Sequence, residues 1–152
     1  MTRSVAASVL AVGLLGIAAR ADDIPLNKVP APALAAVKKH FPTAKLVEAS
    51  TDTVDGVVEY TVTLHHKKDT YEVTVTAEGK VLEIARELAL KDLPKAVAAA
   101  FHKQYPRAKV DGVWEMTVPG VSGKTYQIDL VTASGKAVVA DFDPTGRLLS
   151  EE

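Results

Sequence analysis

Lys39-His40-Phe41-Pro42-Thr43-Ala44-Lys45 returns sixty-four positions later as Lys103-Gln104-Tyr105-Pro106-Arg107-Ala108-Lys109. Each copy closes an Ala-rich run and opens a β-rich one. The proline has no N–H and pushes its predecessor out of the α region, so a helix is predicted to stop at the aromatic residue in both copies. The recurrence predicts one supersecondary unit built twice.

Upstream of the first copy, Ala33, Leu34, Val37 and Phe41 fall on one helical face while Lys38, Lys39 and His40 fall off it. Pro30 and Pro32 suit the approach and first turn. Upstream of the second, Val97, Ala98, Phe101 and Tyr105 repeat the same positions, with Asp92 as the expected N-cap and Pro94 in the first turn. Downstream the period changes to two. Four strands are predicted after the first helix: Lys45 to Thr53, Val57 to Leu64, Tyr71 to Thr76 and Val81 to Arg86. Asp55-Gly56 marks the first hairpin. The second set runs Val110 to Val118, Tyr126 to Leu130, Ala137 to Asp143 and Gly146 to Ser150. A competing similarity, Val54-Asp55-Gly56-Val57 with Val110-Asp111-Gly112-Val113, needs a different offset and is read as shared strand composition.

The expected fold class is α+β: two tandem repeats, each a helix plus a four-stranded antiparallel sheet, with both helices on one face. Repeat 1 spans 29–88 and repeat 2 spans 89–152. The link Glu87 to Lys91 is too short to free two domains, so a long or paired sheet is expected, bare on its other face. Ahead of it, Met1-Thr2-Arg3-Ser4, an uncharged run from Val5 to Ala19 and Ala19-Arg20-Ala21 read as a signal peptide, 1–21, cleaved after Ala21. Residues 22–28 are expected to be a flexible leader. The product is expected in the periplasm or outside the cell, without stable membrane insertion.

Removing 1–21 takes two Arg and no acid, leaving 16 basic and 19 acidic side chains. So mild a net charge speaks against nucleic acid or an anionic membrane as partner. There is no Cys, so apolar packing must carry the stability without disulfides.

Strand parity places Glu59, Thr61, Thr63, Glu72, Thr74 and Thr76 on the uncovered face, and in the second repeat Glu115, Thr117, Gln127, Asp129 and Asp141. Lys38, Lys39, Lys45 and Lys95, with Lys103, Arg107 and Lys109, lie on or beside the helices. The bare face is therefore expected to be acidic and Thr-lined, able to steer a basic protein or peptide partner, although solvated strand positions hold Thr and Glu for no other reason as well. Candidate binding residues are Glu59, Thr61, Glu72, Thr74, Glu115, Thr117 and Asp129. Trp114 shares parity with Met116 and Val118 and is expected to face the helices as core; a slip of one residue would make it an aromatic anchor on the open face.

The arrangement resembles the PepSY-like, or β-lactamase-inhibitor-like, family of exported bacterial proteins. Phe41-Pro42-x-Ala44-Lys45 and Tyr105-Pro106-x-Ala108-Lys109 carry the resemblance, with the strands at Tyr60, Tyr71 and Tyr126 and the closing turns Glu78-Gly79-Lys80-Val81-Leu82 and Asp143-Pro144-Thr145-Gly146-Arg147-Leu148-Leu149. It implies tandem helix-plus-sheet repeats whose open concave face holds a protein partner, and a role in inhibiting or regulating an extracytoplasmic enzyme. The inhibitor proper is disulfide-stapled; this chain is not.

Catalytic motifs are missing: there is no Cys nucleophile, Gly-x-Ser-x-Gly elbow, phosphate loop or dinucleotide fingerprint. An enzyme is not expected, nor a cofactor. His65-His66 are adjacent in a strand and point to opposite faces, which argues against zinc. Asp141-x-Asp143-x-Thr145-Gly146 with Glu152 at the twelfth place matches a calcium loop in spacing, but a strand precedes it. The alternative function is thus a small-ligand or calcium-binding envelope protein. The reading taken is a monomeric, non-enzymatic binding module.

Overall fold

The computed structural model describes residues 21–152. All but the last residue of the expected signal peptide lies outside the described residues. A single nine-stranded antiparallel sheet is built in chain order, each strand paired with the next. Strand β1 (Asp22–Ile24) precedes helix α1 (Ala31–His40) and strands β2 (Lys45–Val54), β3 (Val57–His66), β4 (Asp69–Thr76) and β5 (Val81–Glu87). Helix α2 (Lys95–Gln104) is followed by β6 (Lys109–Thr117), β7 (Thr125–Val131), β8 (Ala137–Phe142) and β9 (Leu148–Glu151).

The recurring heptapeptide ends both helices in the same way. Phe41 N–H donates to the Val37 carbonyl at 2.9 Å and Tyr105 N–H to that of Phe101 at 2.8 Å. The two aromatic residues then leave the α region at φ −131°, ψ 69° and φ −127°, ψ 64°. Ala44 and Ala108 close the turn by donating back to the carbonyls of Phe41 and Tyr105. At the other end each helix begins after a proline, Pro30 or Pro94, with no side-chain cap. Asp92 is therefore not the N-cap; it lies in a 3-10 turn, Leu90–Asp92.

Each helix packs on strands that follow it. Ala33 and Val37 meet Ala49, Val62, Leu64, Val73 and Val75, while Val97 and Phe101 meet Val113, Ile128, Leu130, Ala140 and Phe142. The closing turns press on the helix starts. A Cβ added to Gly79 would lie 2.6 Å from the Pro32 carbonyl oxygen, and one on Gly146 2.4 Å from that of Ala96. Both glycines also have positive φ, 88° and 86°. Only glycine combines that backbone with so close an approach.

Residues 22–28 are no loose leader: Asp22–Ile24 pair with Thr51, Ser50 and Ala49, and Leu26–Lys28 form a 3-10 turn. Ile24 and Leu26 reach the first core, and that apolar burial holds the segment down. Asp55-Gly56 makes the expected hairpin, with φ 50° and 80°. Asp111-Gly112 instead sits at a bulge in β6. The halves join where Ile84, Ala85, Arg86 and Glu87 of β5 pair with Thr117, Met116, Glu115 and Trp114 of β6.

Candidate functional site

Register determines which side chains share the helix-free face. From β3 come Glu59, Thr61 and Thr63, opposite Thr76, Thr74 and Glu72 of β4. Glu83 of β5 stands beside Thr74, and Ala85 beside Glu72. Across the junction the same parity brings Met116 and Trp114, then Gln127, Asp129, Val139 and Asp141. Glu59, Thr61, Glu72, Thr74 and Asp129 thus share one surface.

Glu115 and Thr117 do not belong to it. They pair with Arg86 and Ile84 on the helix side, and Glu115 faces Tyr126 there. Trp114, expected in the core, lies on the open face instead. The reason is the bulge between Val110 and Gly112, which reverses parity so that Val113 takes the core position. Glu115 tolerates the helix side because Arg86 Nη2 at 3.4 Å and Lys124 Nζ at 2.9 Å neutralise it. Arg86 Nε is buried there without a hydrogen-bond partner.

The open face is concave. No helix covers it, yet Ala85, Met116, Gln127 and Val139 on it are only 4–9 % exposed. Glu72 of β4 is perturbed more by Asp129 of β7 than by Glu48 of β2. On a flat sheet β4 and β7 would be separated by about 14 Å at the usual strand spacing. The burial of these four residues without helical cover, together with the influence of Asp129 on Glu72 from three strands away, points to a sheet that curls around a hollow.

A fixed polar cluster occupies the second half of the hollow. Trp114 Nε1 donates to Asp129 Oδ2 at 3.2 Å, and Gln127 Nε2 donates to Asp129 Oδ1 at 3.0 Å. Gly112 leaves room for the indole, since an added Cβ would lie 3.0 Å from both Trp114 Nε1 and Asp129 Oδ2. In the first half, Thr61 and Thr74 hydroxyls bond across the strands at 3.1 Å.

Carboxylates dominate the electrostatics. Burial first, then Asp141, Glu59 and Glu72, push Glu83 up to about 7. Burial also raises Glu72, helped by Asp129, and raises Glu59, helped by Asp52 and Asp55. Asp129 and Asp141 are raised by burial too, opposed by hydrogen bonds from Gln127 and Trp114 in one case and from Ser150 in the other. Among the described residues no cation forms an ion pair with any of these five. Strand parity alone does not single out Glu83. Its signal is one acid flanked by Leu82 and Ile84, too apolar a setting for the strand's two faces to be told apart.

The calcium-like spacing resolves into separate contacts. Asp143 Oδ1 accepts from Thr145 N–H, Thr145 Oγ1 and Arg147 N–H within its own turn. Its hydrogen bond from the Thr145 hydroxyl heads the causes that hold it below the usual carboxylate range. Asp141 accepts from Ser150 Oγ at 2.6 Å on the open face. Among the described residues no three His, Cys, Asp or Glu side chains converge as metal ligands, and no described helix is long and apolar enough to cross a membrane.

The family described as PepSY-like, beta-lactamase-inhibitor-like, matches this chain at residues 15–83 and 58–150. Among curated proteins none matches significantly. Solved structures from Bacteroides share the fold. A BLIP-like protein of Bacteroides fragilis is 26% identical with TM-score 0.64, covering 85% of this chain and 86% of that one. A candidate periplasmic protein of Bacteroides eggerthii is 19% identical with TM-score 0.68, covering 82% and 88%. A DUF2874 family protein of Bacteroides ovatus is 21% identical with TM-score 0.66, covering 81% and 86%.

Proposed function

Because the chain belongs to the PepSY-like, beta-lactamase-inhibitor-like family, we propose that it is a non-enzymatic binding module of the periplasm that takes a basic protein or peptide segment on its concave carboxylate face. One observation carries this reading: five carboxylates, three from the first half and two from the second, are held above their ordinary range, and among the described residues none of them forms an ion pair. A protein stores such repulsion at a cost to folding, and a cationic partner relieves it on binding. Trp114, immobilised by Asp129 beside these acids, supplies a flat aromatic surface of the kind that anchors interfaces and receives guanidinium or ammonium groups.

The accompanying readings follow the same line. The chain is exported with cleavage after Ala21 and acts as a monomer, inhibiting or regulating an envelope enzyme. It is a tandem pair of helix-plus-four-strand units, supported by the matching contacts of Gly79 with Pro32 and of Gly146 with Ala96.

The test uses Trp114, the only tryptophan, as reporter. A short Lys/Arg-rich peptide is titrated while its fluorescence is followed, with the native protein, a Glu72→Lys, Glu83→Lys variant and a Glu78→Lys control at an exposed turn. Thermal melting of each variant separates lost binding from lost folding, because lysines at these half-buried positions meet the same desolvation as the carboxylates they replace. The reading expects saturable binding abolished only in the face variant. Equal binding by all three proteins overturns it.

A further inference from the structure

The mild net charge conceals a separation of signs. In the meander, one rim of the sheet collects the helix exits, the start of β2, the β3–β4 hairpin, the start of β6 and the β7–β8 hairpin. From the first half this rim carries Lys38, Lys39, Lys45, Lys67 and Lys68, all exposed. From the second it carries Lys103, Arg107, Lys109 and Lys136, also exposed. Nine of the 16 cations of the described chain thus line one rim. Against them stand Asp69, Glu87, Asp111 and the last residues of β9, and Asp111 is occupied by Lys109 at 3.0 Å. The opposite rim holds Asp52, Asp55, Glu78 and Asp143 with Lys80, Lys124 and Arg147 among them, and the last two are taken up by Glu115 at 2.9 Å and Asp143 at 3.0 Å.

The helix-end cations have a local explanation, since Lys38 and Lys39, like Lys103, complement the negative end of a helix dipole. The β3–β4 hairpin has none. Its turn is Lys67-Lys68, with Lys67 in the left-handed region at φ 58°, where glycine or asparagine is at ease. The corresponding β7–β8 turn places Gly135, φ 85°, within Thr132-Ala133-Ser134-Gly135-Lys136 and bonds Lys136 N–H to Thr132 Oγ1. The fold can therefore turn here without paired lysines, and the first half accepts backbone strain in keeping them. Beside them Phe41 packs on His66 and Tyr71, with ring centroids 5.6 and 4.8 Å apart, so half-buried aromatic rings border the charge.

We infer that this rim docks on an anionic lipid surface, the molecule standing on its strand ends with the concave face turned sideways and free. A row of exposed ammonium and guanidinium groups on helix ends and loop tips, bordered by aromatic rings, matches a plane of phosphate headgroups. This contact does not depend on the basic-partner reading of the concave face, which lies on another surface.

The purified protein is floated with vesicles of phosphatidylcholine alone or of phosphatidylcholine with phosphatidylglycerol, and compared with Lys67→Glu, Lys68→Glu and with Lys80→Glu, Lys95→Glu. All three proteins share the same N-terminus, and the two variants share the same change in charge. The readout is the gain due to phosphatidylglycerol. The native protein should show it and lose it as salt rises from about 50 mM to about 500 mM. The rim variant should lose about tenfold or more in affinity, and the control should stay within about twofold. Thermal melting checks folding, and Lys38→Gln, Lys39→Gln serves as a second rim variant. No phosphatidylglycerol-dependent binding by the native protein, equal loss in the control, or charge-dependent self-association in place of vesicle binding overturns the inference.

Discussion

Replacing Glu83 with glutamine should stabilise the protein at pH 8 and leave it unchanged at pH 4. Glu83 is raised from 4.5 to about 7 by burial and by Asp141, Glu59 and Glu72. A raised carboxylate binds its proton more tightly in the folded state. Its favourable contribution is complete below the unfolded value and lost as pH rises through the folded one. At about 1.36 kcal/mol per unit, the ceiling is about 3 kcal/mol. Side-chain relaxation and water entering the hollow reduce the measurable gain to about 1–2 kcal/mol. The assay is urea unfolding of native and Glu83→Gln proteins at intervals from pH 4 to pH 8. The difference between the two proteins should open between about pH 4.5 and pH 7 and then level off. A difference that is constant with pH, or that closes as pH rises, would refute the argument that this face is held under carboxylate repulsion.

Gly146→Ala should destabilise by about 3 kcal/mol, and Gly79→Ala comparably, because each adds a Cβ against a helix carbonyl at positive φ; thermal melting should fall by roughly 10 °C. Glu115→Gln should cost about 1–2 kcal/mol in urea unfolding by leaving Arg86 and Lys124 without their shared carboxylate. This is opposite in sign to the Glu83 result and separates the two sheet faces. Asp129→Asn should abolish any pH dependence of Trp114 fluorescence that arises from the Asp129 contact; persistence of that titration would assign it to another acid. Binding of a Lys/Arg-rich peptide should strengthen as pH rises toward about 7, because Glu83 must lose its proton to attract a cation, and titration calorimetry at pH 5.5 and pH 7.5 reads this directly.

The helices were legible because Phe41-Pro42 and Tyr105-Pro106 impose a stop that packing need not override. Tight turns at Asp55-Gly56 and Gly79 were legible for a similar reason: residue type alone permits the backbone. Parity in β6 was not. Reading Trp114, Met116 and Val118 as the buried set assumes that only a helix-covered face can be apolar, whereas the sheet curls and buries Met116 on its bare side. The bulge after Val110 completes the inversion, and the Arg86 contact that keeps Glu115 on the helix side lies twenty-nine residues away in sequence. Glu59, Thr61, Glu72, Thr74 and Asp129 fall on one face as their parity predicts because β3, β4 and β7 alternate without interruption, whereas Glu115 and Thr117 do not. The leader was misjudged because Asp22-Asp23 looks solvated, while its pairing with β2 depends on backbone groups and on Ile24.

The contact of each closing glycine with the start of its own helix has a consequence for the order of assembly. Gly79 meets Pro32, and Gly146 meets Ala96, so the earliest and latest parts of each half are sealed together. During synthesis, a half cannot finish packing until its final hairpin has emerged. The first half reaches that point while the second is still being delivered. The second waits for Gly146 in the turn between β8 and β9, so truncation ahead of that residue should leave α2 without the turn that secures it.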